Sequence, residues 1–272
     1  MHTNKNTIAI HITNACNLRC PLCYLKKDPN IIPYKYIQKA IRIFKPEYVV
    51  LFGGEAILFP EIIQKFHRDY PDIKIILHTN GTTYNTDIYD ICNVIYMTIE
   101  SFFYSYNKKH RNMTYDQYKN FLRSIAYCHD KIEGIHNIYP SNNDILFYKM
   151  AKLLGLRYSN YPIISKEPNL YIESKYRNIL QIRKTILTNP KIRILTNGTV
   201  TRDMTGYFNI CHIDEYKPRM DRLMPVSDTC KKCKYYRKCY ACNMFPHFCK
   251  EVLDTINYKP AFCKLTEFIL KG

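Results

Sequence analysis

The stretch I-H-I-T-N-A-C-N-L-R-C-P-L-C-Y, residues 10–24, places three cysteines directly after an apolar run. Cys16, Cys20 and Cys23 are separated by three and then two residues, and the next cysteine is Cys92. Three thiolates on one short loop can ligate three irons of a 4Fe–4S cube. The missing fourth cysteine favours an iron that is open to another ligand. A zinc site or free thiols are the alternatives, but zinc usually takes four ligands in paired C-x-x-C spacing.

The composition is that of a folded chain, with 272 residues of which 46% are hydrophobic. This length is enough for one barrel-sized domain and a smaller one. No run of about 18 apolar residues predicts a transmembrane helix, and the first residues lack the apolar centre of a signal peptide. We therefore expect a cytoplasmic protein without membrane contact. Twelve cysteines in a reducing compartment indicate metal binding or catalysis.

The formal net charge is +17, from 40 Lys and Arg against 23 Asp and Glu. Such an excess favours acidic or polyanionic partners, or an anionic cofactor. The lysines are spread along the whole chain, however, in a sequence that is also rich in Asn, Ile and Tyr. A bias of composition explains this pattern better than a nucleic-acid-binding face, which would gather the charge in one arm or helix.

Short apolar runs alternate with segments of helical periodicity over residues 1–163. The runs that predict buried strands are 7–12, 48–52, 73–78, 94–99, 134–139 and 156–163. The helices predicted between them lie near 33–45, 59–70, 86–92, 114–128 and 142–154. This alternation predicts an α/β fold whose parallel strands curl into an open barrel.

Two further segments follow the predicted barrel. Residues 164–190 are a bridging segment with one helix predicted near 174–187. Residues 191–272 form a small cysteine-rich domain, which we expect to begin with a hairpin around Asn197-Gly198, the preferred pair for a type I′ turn.

The stretch of residues 10–24 resembles the signature of radical S-adenosylmethionine (SAM) enzymes, C-x-x-x-C-x-x-C followed by an aromatic residue. The resemblance implies a partial (β/α)6 barrel in which Cys16, Cys20 and Cys23 hold a 4Fe–4S cluster and SAM chelates the open iron. It also implies an enzyme, because reductive cleavage of SAM yields methionine and a 5′-deoxyadenosyl radical that removes hydrogen from a substrate. An electron donor such as flavodoxin or ferredoxin would then be a partner.

Two motifs after the second and third predicted strands support the resemblance. Gly53-Gly54-Glu55 is similar to the family's GGE motif, which contacts the amino group of SAM. Residues without a Cβ let backbone carbonyls approach a ligand, and Glu55 adds an acceptor for an ammonium-like group. Thr79-Asn80-Gly81 resembles the family's TNG turn beside the SAM site, and Asn-Gly also suits an ordinary turn, so a direct role of Asn80 stays open.

Further candidates for SAM contacts follow the next strands. Residues 97–101 lie where many relatives have S-x-D, so Thr98 and Glu100 would take the place of the ribose-contacting pair. Arg111 matches an arginine that can pair with the SAM carboxylate, or else it belongs to a solvated basic face with its neighbours. Asn137, on the fifth predicted strand, is a polar candidate near the adenosine.

The last part of the chain carries a second group of cysteines. Cys230, Cys233 and Cys239, with the late Cys263, resemble the SPASM domain, the auxiliary-cluster module of many radical SAM enzymes that modify peptides. The resemblance implies one auxiliary iron–sulfur cluster on these four residues. Three more thiols would hold a second auxiliary cluster with an open iron or a non-cysteine ligand: Cys211, Cys242 and Cys249. A zinc ribbon of two C-x-x-C pairs is the alternative.

Together these resemblances predict an enzyme that modifies a peptide or protein side chain by crosslinking, thioether formation or oxidation. Radical SAM modification of RNA or of a small molecule is a second hypothesis. The net charge motivates the RNA version, but no RRM, KH or OB motif is present. A third hypothesis is that the protein is not an enzyme but a binding module stabilised by zinc. No side chain is identified as a catalytic acid or base.

Overall fold

In the computed structural model, the residues with a described structure are 6–21, 23, 25, 27–137, 144–160, 192–201 and 209–218. Seven of the nine strands in this part of the chain are parallel: β1 (Thr7–Thr13), β2 (Tyr48–Gly53), β3 (Lys74–Thr79), β4 (Val94–Thr98), β5 (Ile132–Asn137), β6 (Tyr158–Asn160) and β7 (Ile192–Ile194). The other two are antiparallel, β8 (Thr199–Thr201) and β9 (Asn209–His212). All belong to one mixed sheet in the order β6-β5-β4-β3-β2-β1-β7-β8-β9.

Helices connect the parallel strands. Their bounds within the described residues are α1 (Tyr34–Phe44), α2 (Pro60–Asp69), α3 (Thr86–Ile91), α4 (Tyr104–Arg111), α5 (Tyr115–Cys128) and α6 (Asp144–Leu153). The parallel α/β arrangement predicted from the alternation is confirmed, with all six predicted strands and five predicted helices present. The helix predicted near 174–187 lies outside the described residues. No helix of the described part is long and apolar enough to cross a membrane.

Helix α4 and strand β9 were not predicted from the sequence. Helix α4 has a clear physical reason for this. Its eight residues, Y-S-Y-N-K-K-H-R, have no apolar stripe, and the two side chains that it buries are polar, Asn107 and Arg111. Asn107 holds the helix by donating to the backbone carbonyls of Ser101 and Phe103. A helix that is anchored by polar contacts leaves no hydrophobic period in the sequence.

Alternate residues of the strands build the main core against the helices. The most completely buried positions of this face are Ile8, Ile10, Ile12, Val49, Leu51, Ile75, Leu77, Ile95 and Met97. The helices add apolar side chains to the same core, among them Ile37, Ile63, Phe66 and Phe121. Burying one such side chain contributes about 1.5–3 kcal/mol relative to leaving it in water. This core fixes the register of the strands and therefore the positions of the loops at their ends.

The opposite face of the sheet, which we call the inner face, is aromatic and polar. His11 packs on Phe52 with ring centroids 4.9 Å apart, and Tyr96 lies between His78 and His136 at 5.0 and 5.2 Å. Burial lowers the pKa of His11 and His78 to about 4, so both imidazoles are neutral at pH 7. The inner face therefore combines aromatic surface with uncharged hydrogen-bonding groups.

The hairpin predicted around Asn197-Gly198 is present and joins the sheet. The predicted type I′ turn is wrong, because such a turn needs a positive φ at both residues and only Gly198, at +82°, has one. β7 and β8 are antiparallel partners, and β7 pairs in parallel with β1, where Ala9 faces Arg193. Residues 192–201 therefore continue the sheet of the first 160 residues. The domain boundaries at 163 and 190 fall outside the described residues and stay predictions.

Gly81 is at a position where only glycine fits. Its φ is +72°, and an added Cβ would lie 3.0 Å from Phe121 Cδ2 and 3.2 Å from Met97 Sδ. Gly155 has a similar φ of +68° with nothing within 4 Å of an added Cβ. Both substitutions to alanine therefore incur the strain of the left-handed backbone, about 1–2 kcal/mol, but only Gly81→Ala also disturbs packing.

We expect Gly81→Ala to lower the free energy of unfolding more than Gly155→Ala does, by roughly 1–3 kcal/mol, because a core side chain must move. Urea denaturation of the two variants measures the difference. Equal losses would contradict the close packing of the turn after β3 against α5.

Candidate cofactor site

The three cysteines of the first motif lie on the loop after β1, at the carboxyl edge of the parallel strands. We call residues 14–21 with Cys23 the cysteine loop. Cys16 and Cys20 are half-buried and Cys23 is exposed. Loops at this edge of parallel α/β sheets carry the binding and catalytic groups. The position of the cysteine loop therefore agrees with the sequence analysis.

The glycine pair at the end of β2 pairs with the backbone of the cysteine loop. Gly54 N–H donates to Thr13 O at 2.7 Å, and Glu55 N–H donates to Ala15 O at 2.8 Å. A Cβ on Gly54 would lie 2.1 Å from Ala15 O, and one on Gly53 would lie 2.4 Å from Thr13 O. The two glycines thus make room for the cysteine loop itself. Their contact with SAM stays a prediction.

Glu55 connects the ends of β2 and β3. The side chain is 1% exposed. One carboxylate oxygen accepts from Thr79 Oγ1 at 2.8 Å and Ile57 N at 3.2 Å, and the other accepts from Asn80 N at 2.7 Å. Burial raises the pKa of Glu55, and these hydrogen bonds act in the opposite direction. Its carboxylate therefore accepts from three protein donors and holds the GGE and TNG motifs together.

Asn80 links this connection to the first cysteine. Its Nδ2 donates to Cys16 Sγ at 3.8 Å and to Asn17 Oδ1 at 3.0 Å, while its Oδ1 accepts from Thr82 N at 2.9 Å. Burial raises the pKa of the Cys16 thiol, and the Leu18 N–H, 3.4 Å from Sγ, acts in the opposite direction. A thiol in this surrounding needs a cation in place of its proton to become a thiolate.

Arg111 is buried under the cysteine loop, with 5% of its surface exposed. Nη1 donates to the carbonyl of Thr98, and Nε lies 3.9 Å from Glu100 Oε1. Burial by itself lowers the pKa of Arg111, but Cys20 and Glu100 outweigh that effect and raise it. Arg111 is therefore not part of a solvated basic face, and Glu100 pairs with it at the end of β4.

Two observations indicate that the residues at the carboxyl edge of the strands fit an iron–sulfur cluster with SAM. The half-buried Cys16 and Cys20 are thiols that a bound cluster would convert to ligands. Among the described residues, Arg111 Nε is a buried donor without a hydrogen-bond partner, and an anionic group such as a carboxylate would satisfy it. In the described part of the chain, no three His, Cys, Asp or Glu side chains converge on the position of a single metal ion.

Three amide side chains that the sequence analysis missed fix the cysteine loop to its surroundings. Asn17 Nδ2 donates to Thr82 Oγ1 at 2.8 Å, Asn112 Nδ2 donates to Arg19 O at 2.7 Å, and Gln117 Nε2 donates to Asn17 O at 2.9 Å. Gln117 also closes the capping box that begins α5. Thr114-x-x-Gln117 is a recognisable helix-start pattern, but its second role on the loop has no sequence signal.

For the other predicted site residues, the structure describes only a part of the positions. Asn137 ends β5, and its side chain is outside the described part of the structure. Cys211 lies on β9 opposite Val200 and is half-buried. The remaining C-terminal candidates lie outside the described residues: Cys230, Cys233, Cys239, Cys242, Cys249 and Cys263.

Glu55→Gln tests the connection between the two motifs. The substitution keeps the size of the side chain but turns one acceptor oxygen into an NH₂ group, which must face the N–H of either Asn80 or Ile57. We expect the free energy of unfolding to fall by about 1–3 kcal/mol, as measured by urea denaturation. Exposed Glu47 provides the control, because Glu47→Gln should change the free energy of unfolding by less than about 0.5 kcal/mol. Equal effects of both variants would contradict the role of Glu55.

Comparisons with known proteins agree with this geometry. The family model of the radical SAM superfamily matches residues 10–154, and no curated protein sequence gives a significant match. Native anSMEcpe with bound AdoMet and Cp18Cys peptide is similar in fold, with a TM-score of 0.67 at 14% identity, over 97% of this chain and 96% of that one. Streptococcus suis SuiB bound to precursor peptide SuiA gives a TM-score of 0.61 at 12% identity, over 86% and 71%.

The family match covers more than half of the sequence and includes the cysteine loop, the glycine pair and the turn after β3. At such low identities the likeness to the solved structures is one of fold. On the strength of the family match, the chain belongs to the radical SAM superfamily.

Proposed function

We propose that this radical SAM protein modifies a side chain of a peptide or protein, by crosslinking, thioether formation or oxidation. Membership of the family implies a 4Fe–4S cluster and SAM. The observation that carries the proposal is the cysteine loop, which presents three thiols and is fixed to the GGE motif by backbone hydrogen bonds. A peptide substrate is supported by the fold likeness to two proteins whose structures contain peptides.

When bound, the cluster and SAM supply a 5′-deoxyadenosyl radical that removes a hydrogen atom from the substrate. We propose that Cys16, Cys20 and Cys23 hold the cluster. Arg111 would orient the SAM carboxylate through Nε, which has no hydrogen-bond partner among the described residues and lies 3.9 Å from Glu100 Oε1, while Thr98 O holds Nη1. Rigid donors that are in place before binding cost little reorganisation in the reaction.

The backbone carbonyls of Gly53 and Gly54 are candidate acceptors for the SAM amino group, since the Cβ positions of both glycines face the backbone of Thr13 and Ala15. Glu55 then acts by position, through the turn at Asn80, and not by direct contact. Thr98, Glu100 and Asn137 remain candidates around the ribose and adenine, at the ends of β4 and β5.

We infer that β1 to β6 curl into the partial (β/α)6 barrel of the family, with the inner face toward the substrate. Its histidines and Tyr96 differ from the branched apolar side chains that usually fill such barrels. Neutral imidazoles at pH 7 offer both donors and acceptors to a peptide backbone. A peptide, which is polar and partly aromatic, suits this surface.

We further propose that residues 191–272 form a SPASM-like domain with one or two auxiliary iron–sulfur clusters, after the barrel of residues 1–163 and the bridging segment 164–190. The support is the cysteine spacing, together with a fold likeness to anSMEcpe that extends well beyond the family match. Cys211, on β9 in the same sheet as β1, is the described member of this cysteine set.

Replacement of Cys16, Cys20 and Cys23 together by alanine tests the proposed function. We expect 5′-deoxyadenosine formation to be abolished in the reconstituted, dithionite-reduced protein, because these cysteines are the proposed protein ligands of the cluster. The C-terminal iron, measured after anaerobic reconstitution, should persist.

The matched control removes two thiols that pack in the core, Cys92→Ala and Cys128→Ala, and should retain SAM cleavage. Peptides from short reading frames beside the gene test the substrate, and the expected result is a mass change that requires SAM. Cleavage in the triple variant, or modification of RNA with no peptide product, would refute the corresponding part of the proposal.

A further inference from the structure

A small basic surface borders the cysteine loop. It consists of Arg19 on the loop and of Lys108 and Lys109 in the last turn of α4, and we call these three residues the basic patch. All three side chains are exposed. Helix α4 has no acidic residue in its first turn and four basic residues in its last, of which Arg111 is buried.

The basic patch is tied to the cysteine loop by direct contacts. Asn112, which ends α4, donates to Arg19 O at 2.7 Å. Lys108 is one turn before Asn112 on the same side of the helix. The patch thus borders the cysteine loop at Arg19, the residue before Cys20 in the sequence.

The charge of the basic patch is not neutralised within the described part of the protein. None of its three side chains forms a salt bridge there. The acids closest in sequence to the cysteine loop and to α4 are already engaged, because Asp28 accepts from Asn14 Nδ2 and Asn30 N, while Asp116 pairs with Lys119 at 2.7 Å. Glu100 is buried against Arg111. An incoming acidic surface would meet positive charge without competition.

We propose that the basic patch is the docking surface for an acidic one-electron donor protein, a flavoprotein or iron–sulfur protein. This inference rests on the proposed function, which requires an electron from outside the chain. In the step, the reduced donor loses one electron and the cluster held by the cysteine loop gains it, with no bond made or broken. Electron transfer falls steeply with distance, so the donor must dock beside this loop. Charge complementarity then steers the encounter and sets the orientation.

The same surface is less suited to RNA. Its neighbouring tyrosines pack on one another, with Tyr104 5.3 Å from Tyr115 and 5.6 Å from Tyr118, and Lys119 covers the ring of Tyr115. Single-stranded nucleic acid needs separate aromatic faces for its bases. A compact patch beside the cysteine loop fits a small acidic protein better.

The test compares the double variant Lys108→Glu/Lys109→Glu with Lys149→Glu/Lys152→Glu on α6, in the full reconstituted chain. The control changes the net charge by the same amount on α6. The last turn of this helix precedes β6 and so lies at the amino ends of the parallel strands, whereas the cysteine loop lies at their carboxyl ends. Calorimetry measures the affinity for an acidic flavodoxin at low and physiological salt. SAM cleavage is measured with reduced flavodoxin and, separately, with dithionite, which needs no docking surface.

We expect the α4 variant to bind flavodoxin about 10-fold or more weakly at low salt and to lose flavodoxin-driven cleavage by a similar factor. Its dithionite-driven cleavage should equal that of the unchanged protein, and the α6 variant should match the unchanged protein in all assays. Equal effects of the two variants on flavodoxin, or weakened tRNA binding with unchanged flavodoxin binding, would overturn the docking proposal. Absence of cleavage with dithionite in the unchanged protein would instead refute the proposed function.

Discussion

Two backbone hydrogen bonds join the end of β2 to the loop after β1, from Gly54 to Thr13 and from Glu55 to Ala15. They form because neither Gly53 nor Gly54 has a Cβ, which would overlap the carbonyl oxygens of Thr13 and Ala15. This contact fixes a loop that has no regular secondary structure of its own. The thiols of the loop are therefore positioned by the sheet, and hence by the core that sets strand register.

The surrounding side chains extend that constraint. Glu55 accepts three hydrogen bonds from the ends of β2 and β3, and Asn80 carries the connection on to the Cys16 sulfur. On the far side, Arg111 is held by Thr98 and Glu100 next to Cys20. Buried polar groups that are almost fully satisfied form a rigid setting. Arg111 Nε, a buried donor without a hydrogen-bond partner among the described residues, is a candidate contact for an anionic ligand.

Much of the fold was predictable because buried parallel strands leave long runs of β-branched residues. The hairpin at Asn197-Gly198 was predictable from its turn residues. Helix α4 was not, since polar anchors replace an apolar stripe. The pairing of β7 with β1 joins segments more than 180 residues apart and has no local signal. At the site, the cysteines and motifs were recognisable in the sequence. The burial of Arg111 and the contact between the glycine pair and the cysteine loop depend on tertiary structure and leave no local signal.

The account depends on a cluster held at three corners by the cysteine loop, with SAM on the fourth iron. Electron–nuclear double resonance of the reduced protein, with SAM labelled at its amino nitrogen, measures this directly. The account predicts a hyperfine coupling between the cluster and the labelled nitrogen that disappears when the three loop cysteines are replaced. A protein that contains zinc at this loop, or an iron–sulfur signal without coupling to the label, would contradict it.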